Sequence, residues 1–199
     1  MSLANGRPYL AIPGPSVMPE AVLRAMHRSA PNIYEGELPD MMPALVDDLR
    51  HVAQTDGQVA MYIANGHGAW EAALANTMRP GDTVLVPATG RFGHGWAEMA
   101  ACMGIGTQVI DHGRQAPIDP ERVRAALLAD TGQTIKAVLA VHVDTSSSVR
   151  SDIAPLRAVL DEVGHPALLM VDCIASLGCD VFRMDAWGVD VMVTGSQKG

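Results

Sequence analysis

Two adjacent stretches, "DPERVRAALLAD" (119–130) and "KAVLAVHV" (136–143), decide the fold class. The first places Asp119 before Pro120 and then repeats apolar residues at helical spacing, which predicts a capped helix. The second is apolar at nearly every position, which predicts a strand buried on both faces. A helix that leads into such a strand is typical of a parallel sheet covered by helices.

The same alternation of helix and strand extends in both directions from this unit. Strands are predicted at "VAMYIAN" (59–65), "TVLVPAT" (83–89), "TQVIDH" (107–112), "KAVLAVHV" (136–143), "ALLMVDC" (167–173) and "VDVMVTG" (189–195). Because helical patterns separate these runs, we expect an α/β fold with a mainly parallel, doubly wound sheet and helices on both faces. Residues 1–58 are predicted to form an N-terminal arm with two helices, and residues 59–199 the sheet domain.

Composition and charge exclude several classes of protein. The 199 residues carry 14 basic and 22 acidic side chains with no basic run, which disfavours a nucleic-acid partner. No apolar stretch approaches the roughly 18 residues of a membrane span, so we predict no membrane association. Three cysteines without metal-type spacing favour a reducing compartment, and we expect a cytoplasmic protein. His142 and Asp144 lack an evident third ligand, so no metal site is predicted.

A short glycine loop follows the first predicted strand. In "NGHGAWEA" (65–72), Gly66 and Gly68 allow backbone N–H groups to converge at the start of a helix, which suits a phosphate. The side chains of Asn65 and His67 could donate further hydrogen bonds. A plain turn between strand and helix explains the same residues, because short glycine loops are common in this architecture.

Two further strand ends carry candidate ligand contacts. Phe92, in "GRFGHGW" (90–96), offers an aromatic ring that can stack on a flat ligand, although a core aromatic is the simpler explanation. Thr145, in "HVDTSSSV" (142–149), offers a hydroxyl, and serines that cap a helix explain this loop equally well.

The last two predicted strands deliver a carboxylate and a lysine. Asp172 ends the most apolar run of the chain, where an ionised carboxylate needs a cationic partner to offset its desolvation. Lys198 follows the final strand and supplies an amine. A lysine, a carboxylate, a phosphate loop and an aromatic ring together match pyridoxal 5'-phosphate (PLP), which binds lysine covalently as an imine.

At these residues the sequence resembles the class V, fold-type I PLP-dependent aminotransferases, and among them the serine–glyoxylate and alanine–glyoxylate group. The resemblance rests on "PGPSVMPEAVLRAM" (13–26), "NGHGAWEAALANTM" (65–78), "GRFGHGW" (90–96), "HVDTSSSV" (142–149), "GHPALLMVDCIASLG" (164–178) and "GSQKG" (195–199). It implies the PLP-transferase large domain, of which residues 59–199 would be the first part.

The resemblance also implies roles for individual residues. Lys198 corresponds to the imine lysine, and Asp172 to the partner of the pyridine nitrogen. Phe92 corresponds to the residue that stacks on the cofactor ring, and Thr145 to the hydroxyl near its phenolic oxygen. The phosphate is expected to bind at Asn65, Gly66, His67 and Gln197, and the substrate near Gly14.

The implied reaction is transamination from serine or alanine to glyoxylate or pyruvate, in a homodimer. Four departures from the usual family pattern, at Ile12, Phe92, Val143 and Ser148, weaken the substrate assignment, so a pyridoxamine–pyruvate aminotransferase is the second hypothesis. A third hypothesis is a PLP-type fold that binds without catalysis; Lys198 and Asp172 argue against it, because such a protein needs neither. A fourth is a nucleotide-binding enzyme, which is disfavoured because the loop at 65–68 lacks the fuller glycine motif of that class. The resemblance further implies a seventh sheet strand and a small C-terminal domain after Gly199.

Overall fold

The computed structural model of the chain describes residues 10–14 and 16–198; residues 1–9 of the predicted arm, Pro15 and Gly199 lie outside the described residues. Its helices are α1 (Glu20–Met26), α2 (Glu37–Ala53), α3 (Gly66–Thr77), α4 (Arg91–Cys102), α5 (Pro120–Ala129) and α6 (Ala154–Val163). Its strands are β1 (Thr83–Ala88), β2 (Gly106–Asp111), β3 (Ile135–Val141), β4 (Val143–Asp144), β5 (Val149–Arg150), β6 (Leu168–Asp172) and β7 (Val191–Val193).

Five of the strands form one parallel sheet in the order β2-β1-β3-β6-β7. In this register Val141, the last residue of β3, lies opposite Asp172, the last residue of β6. All five strands therefore end at the same edge of the sheet, which is the edge where open α/β sheets bind ligands. The predicted parallel sheet is confirmed.

The central strand β3 shows why both faces of the sheet are covered. Every residue of β3 except Lys136 is buried, and neighbouring side chains point to opposite faces. Val138 belongs to the core that includes side chains of α5 and α6, whereas Leu139 belongs to the core that includes side chains of α3 and α4. Side chains of this nearly continuous apolar strand thus pack into two cores. Burial of each large aliphatic side chain contributes about 1.5–3 kcal/mol to the stability of the fold.

Local signals fix the start of α5, as the sequence predicts, and the end of α6. Asp119 accepts a hydrogen bond from the backbone N–H of Glu121, and Pro120 occupies the first turn of α5. Gly164 ends α6 in the left-handed conformation, with φ of 64°, which costs a glycine little.

One predicted strand is wrong. Residues 59–65 are not a strand, most of them are exposed, and the side chain of Ile63 is fully exposed. Strand conformation needs a neighbour to satisfy its N–H and C=O groups, and no strand in the described part of the chain pairs with this run. The strand predicted at 136–143 is also shorter, because Val143 pairs with Arg150 in a separate antiparallel hairpin of β4 and β5.

The described residues before residue 64 make little contact with the sheet. Helix α1 buries no residue, and α2 buries only Ala53. The end of α2 is tied to the sheet domain by hydrogen bonds from Met184 N–H to the Ala53 carbonyl, at 3.1 Å, and from Thr55 Oγ1 to Asp185, at 2.5 Å. Within the described residues, none of the helices has the length and apolar character needed to cross a membrane.

Candidate active site

The carboxyl edge of the sheet brings together side chains from four separate segments of the chain. Lys198 follows β7, Asp172 ends β6, Thr145 follows β4, and Phe92 lies in the first turn of α4 after β1. The parallel topology produces this convergence, because each strand delivers its following loop to the same edge.

The amine of Lys198 lies at the centre of this group. Its Nζ donates a hydrogen bond to Thr145 Oγ1 at 2.6 Å and lies 5.5 Å from the centre of the Phe92 ring. Burial lowers the pKa of this amine from its ordinary value, while the carboxylates of Asp172 and Asp144 act in the opposite direction. A lowered pKa increases the fraction of neutral amine, which is the nucleophilic form.

The Asp172 carboxylate is buried, with 3% of the residue exposed. Its Oδ1 accepts a hydrogen bond from the Ile174 N–H at 2.8 Å, and its Oδ2 accepts one from Trp70 Nε1 at 2.8 Å. Burial raises the pKa of Asp172 to about 6, against the opposing effects of these two donors and of Lys198. The carboxylate is therefore poised to gain a cationic partner, which would favour its charged form.

Trp70 is a site residue that the sequence reasoning missed. Its indole is buried in α3, where it stacks on Trp96 with ring centres 5.7 Å apart and meets Phe92 edge to face at 6.1 Å. Trp70 therefore connects Asp172 to Phe92, the aromatic residue beside Lys198. Helical spacing in "AWEAALANTM" (69–78) predicts only a core tryptophan; the one signal in the sequence is that a buried indole N–H needs an acceptor.

The predicted phosphate loop forms the N-terminus of α3. Asn65 caps the helix, since its side-chain oxygen accepts a hydrogen bond from the Gly68 N–H at 3.1 Å. Gly66 is buried, and a Cβ at this position would collide with Ile174 Cδ1. His67 is exposed and meets the Trp70 ring edge to face at 4.8 Å. The first N–H groups of a helix have no intrahelical partner, so this end offers donors to an anion.

The N-terminal segment around Gly14 contacts the chain at Lys198 and Gln197. A Cβ added at Gly14 would lie 2.9 Å from Lys198 Cγ, so the N-terminal segment passes directly against the lysine side chain. Ser16 fixes this segment through hydrogen bonds from its N–H and hydroxyl to the Gln197 carbonyl, at 3.1 and 3.0 Å. The Gln197 side chain itself is exposed.

The two residues considered for a metal pair have other partners. His142 Nδ1 lies 2.9 Å from Ser176 Oγ, and burial lowers the pKa of this imidazole. Asp144 accepts hydrogen bonds from the N–H groups of Phe92 and Gly93. Across residues 10–14 and 16–198, no group of three or more His, Cys, Asp or Glu side chains is arranged to hold a metal ion.

Residues 45–199 match the family model described as Aminotransferase class-V. The chain belongs to the class-V aminotransferase family. The alanine–glyoxylate aminotransferase of Nostoc sp. has a similar solved structure, with a TM-score of 0.88 and 32% identity over 94% of this chain and 49% of that one. The class-V fold and the mainly parallel sheet predicted from the sequence are thus confirmed.

Curated relatives show the same similarity over nearly the whole chain. The serine–glyoxylate aminotransferase of Methylorubrum extorquens is 39% identical over 98% of this chain and 48% of its own length. The L-aspartate–glyoxylate aminotransferase of Paracoccus denitrificans is 40% identical over 94% of this chain and 48% of its own length. The chain spans about half the length of the curated relatives it matches.

Proposed function

We propose that this chain carries the cofactor site of a PLP-dependent aminotransferase that moves an amino group from a small amino acid to a 2-oxo acid. The observation that carries the proposal is the partly buried Lys198 amine, which lies 2.6 Å from the Thr145 hydroxyl and over the Phe92 ring. The buried Asp172 carboxylate ends the neighbouring strand. Residues 59–199 would form part of the cofactor domain, and residues 1–58 its N-terminal arm.

The residues present fit pyridoxal phosphate. Lys198 would bind its aldehyde carbon covalently, and Phe92 would face its ring. Thr145 would hydrogen-bond to its phenolic oxygen, and Asp172 to its ring nitrogen. The N-terminus of α3, at Asn65, Gly66 and His67, would hold the phosphate together with Gln197. The glycine at 66, where a Cβ would strike Ile174, lets α3 approach the loop that follows Asp172.

Each side chain would then have one chemical task. When bound, pyridoxal phosphate supplies an electron sink that stabilises negative charge at the substrate α-carbon. Once the donor's amine has displaced it from the aldehyde carbon, Lys198 Nζ would act as the base that takes the α-proton, which its lowered pKa favours by keeping part of the free amine neutral. The Asp172 carboxylate would hold a proton on the ring nitrogen, since a cation there stabilises the charged carboxylate.

The proposed substrates are serine or alanine as donor and glyoxylate or pyruvate as acceptor. The names of the relatives support glyoxylate as acceptor, because the serine, aspartate and alanine enzymes all share it. Gly14 would line the substrate pocket, since a larger residue there would press on Lys198. Free pyridoxamine with pyruvate is the second pair to test.

A cytoplasmic homodimer is the proposed state of the protein. Exposed apolar side chains in the N-terminal region, including those of Leu23, Met26, Ile33 and Tyr34, offer a surface that a second copy could cover. Among the described residues, Cys102, Cys173 and Cys179 are all free thiols, which supports a reducing compartment.

The experiment is a transamination assay on the full-length protein loaded with PLP, with serine, alanine, aspartate or pyridoxamine as donor. We expect turnover with glyoxylate and its loss in Lys198→Ala. Lys136→Ala is the matched control, because Lys136 is exposed near the start of β3, and it should retain activity. A protein that transfers no amino group with any of these pairs, or a Lys198→Ala variant with wild-type turnover, would overturn the proposal.

A further inference from the structure

A second carboxylate, Asp144, is fully buried beside the candidate site. It accepts four hydrogen bonds from two different parts of the chain. Its Oδ2 accepts from the N–H groups of Phe92 at 2.9 Å and Gly93 at 3.2 Å. Its Oδ1 accepts from the Ser146 N–H at 2.9 Å and from the Ser146 hydroxyl at 2.6 Å.

These bonds fasten the start of α4 to the loop after β4. The Ser146 hydroxyl, which donates to Asp144, also accepts a hydrogen bond from the Arg91 N–H at 2.8 Å and so closes the connection. Phe92 lies on one side of this connection and Thr145 on the other. These are the two residues whose side chains contact the Lys198 amine, so one carboxylate holds both of them.

Gly90 shows how closely the start of α4 approaches the loop after β4. A Cβ added there would lie 2.5 Å from Asp144 Cγ and 2.7 Å from Ser146 Oγ. The φ angle of Gly90 is 171°, which any residue can adopt, so glycine is required for space and not for conformation. The connection through Asp144 therefore depends on the absence of a side chain at residue 90.

The donors around Asp144 decide which replacement breaks the connection. Backbone N–H groups donate to both oxygens, which suits an ionised group at the positive end of the α4 dipole. An amide of the same shape would turn an NH₂ group toward N–H donors in either orientation. Asp144→Asn therefore breaks the connection while changing the side-chain volume very little.

We propose that Asp144 is a positioning residue that places the Phe92 ring and the Thr145 hydroxyl around Lys198. The proposal rests on the function proposed above, since these contacts matter only if Lys198 binds the cofactor. Asp144 does not itself contact the lysine; it acts through its two neighbours. Its negative charge also acts on the lysine, because the carboxylates of Asp144 and Asp172 both raise the pKa of the amine against the effect of burial.

The test compares four full-length proteins: the wild type, Asp144→Asn, Gly90→Ala and the matched control Asp152→Asn. Asp152 is exposed on the segment before α6, so its replacement makes the same chemical change without breaking the connection. The first measurement is the dissociation constant of PLP, which is determined from the quenching of tryptophan fluorescence as PLP binds. The second, on the cofactor-free proteins, is the pH midpoint of Lys198 acylation by residue-resolved mass spectrometry, with exposed Lys136 as internal reference.

We expect Asp144→Asn to weaken PLP binding by about tenfold or more, as loss of hydrogen bonds to a charged group predicts. It should also move the Lys198 midpoint to lower pH, because one of the two nearby negative charges is removed. Gly90→Ala should weaken PLP binding in the same direction although it keeps the carboxylate. Asp152→Asn should match the wild type in both measurements.

A folded Asp144→Asn protein with wild-type PLP affinity and an unchanged Lys198 midpoint would overturn the proposal. A purely structural role predicts a lower unfolding temperature without a shift of the Lys198 midpoint, and that result would overturn it too. If Asp144→Asn does not fold, Ser146→Ala decides, since it removes only the linking hydroxyl: several-fold weaker PLP binding supports the proposal and unchanged binding refutes it. A wild-type protein that binds no PLP would instead remove the proposed function.

Discussion

The sheet region, residues 83–193, and the N-terminal region, residues 10–63, are both rich in apolar residues but bury them very differently. In the sheet region, β1 is buried from Val84 to Ala88, and β3 at every position except Lys136. In the N-terminal region α1 buries nothing, and Tyr34 is 87% exposed. The difference teaches that local sequence decides whether a helix forms, whereas topology decides whether its apolar side chains find a surface to cover them.

The two regions meet at the candidate site. The sheet region supplies Asp172, Thr145 and Phe92, Lys198 follows its last strand, and the N-terminal region supplies Gly14 against the lysine. If this division is correct, substitutions in the sheet region should change chemistry or stability strongly. Matched substitutions in the N-terminal region should change them little.

The largest effect is expected for Asp172→Asn. A neutral amide cannot hold a proton on the cofactor's ring nitrogen, so PLP should remain bound while the single-turnover rate falls by about 100-fold or more. The matched control in the N-terminal region is Asp48→Asn, an exposed position on α2, which should leave the rate unchanged. Equal rates for wild type and Asp172→Asn would remove the aspartate from the mechanism.

The next largest effect is expected for Leu139→Ala. Leu139 is completely buried in the central strand, and its truncation should lower the free energy of unfolding by about 2–5 kcal/mol. Within a single subunit, Leu23→Ala on exposed α1 should change it by less than about 0.5 kcal/mol. Urea unfolding of both variants measures the contrast, and a loss above about 1 kcal/mol for Leu23→Ala would show that α1 is covered in the assembled protein.

A smaller effect is expected for Trp70→Phe. The phenyl ring keeps most of the packing but loses the hydrogen bond from Trp70 Nε1 to Asp172, so the pKa of Asp172 should rise above its value of about 6. Loss of such a bond corresponds to roughly one pH unit. The acid side of the pH profile for PLP association should move upward by that amount, because the charged carboxylate then forms only at higher pH. An unmoved profile would show that this bond does not control Asp172.

The smallest effect is expected for Arg28→Ala. Arg28 forms a two-pronged ion pair with Glu37, at 3.2 and 2.6 Å, but both side chains are exposed in the N-terminal region. Exposed ion pairs contribute little, since water and salt screen them. The unfolding temperature should stay within about 2 °C of the wild type. A larger drop, lost again in high salt, would mean that this pair fastens α1 to α2.

Much of the sheet region could be predicted from sequence because its signals are local. Apolar runs mark the strands, and Asp119 with Pro120 marks the start of α5. The strand predicted at 59–65 failed because apolar and β-branched residues specify a strand only when a neighbour completes its hydrogen bonds. That condition depends on contacts far along the chain, which periodicity does not report.

The sequence grouped the candidate site residues but did not predict the contacts that hold them in place. Strand ends in a parallel sheet converge by geometry, so Lys198, Asp172, Thr145 and Phe92 could be grouped from their positions and from the family resemblance. Trp70 was missed because the residue it contacts, Asp172, lies 102 positions away in the chain. The roles of all these residues stay predictions until they are tested with the cofactor bound.

The most direct test of the account is to find where PLP attaches. The full-length protein is loaded with PLP, reduced with borohydride, digested and analysed by mass spectrometry for the phosphopyridoxyl group. The account predicts this group on the peptide that contains Lys198, none on Lys136, and none at either position in Lys198→Ala. Attachment at Lys136, or tightly bound PLP with no modification of Lys198, would contradict it.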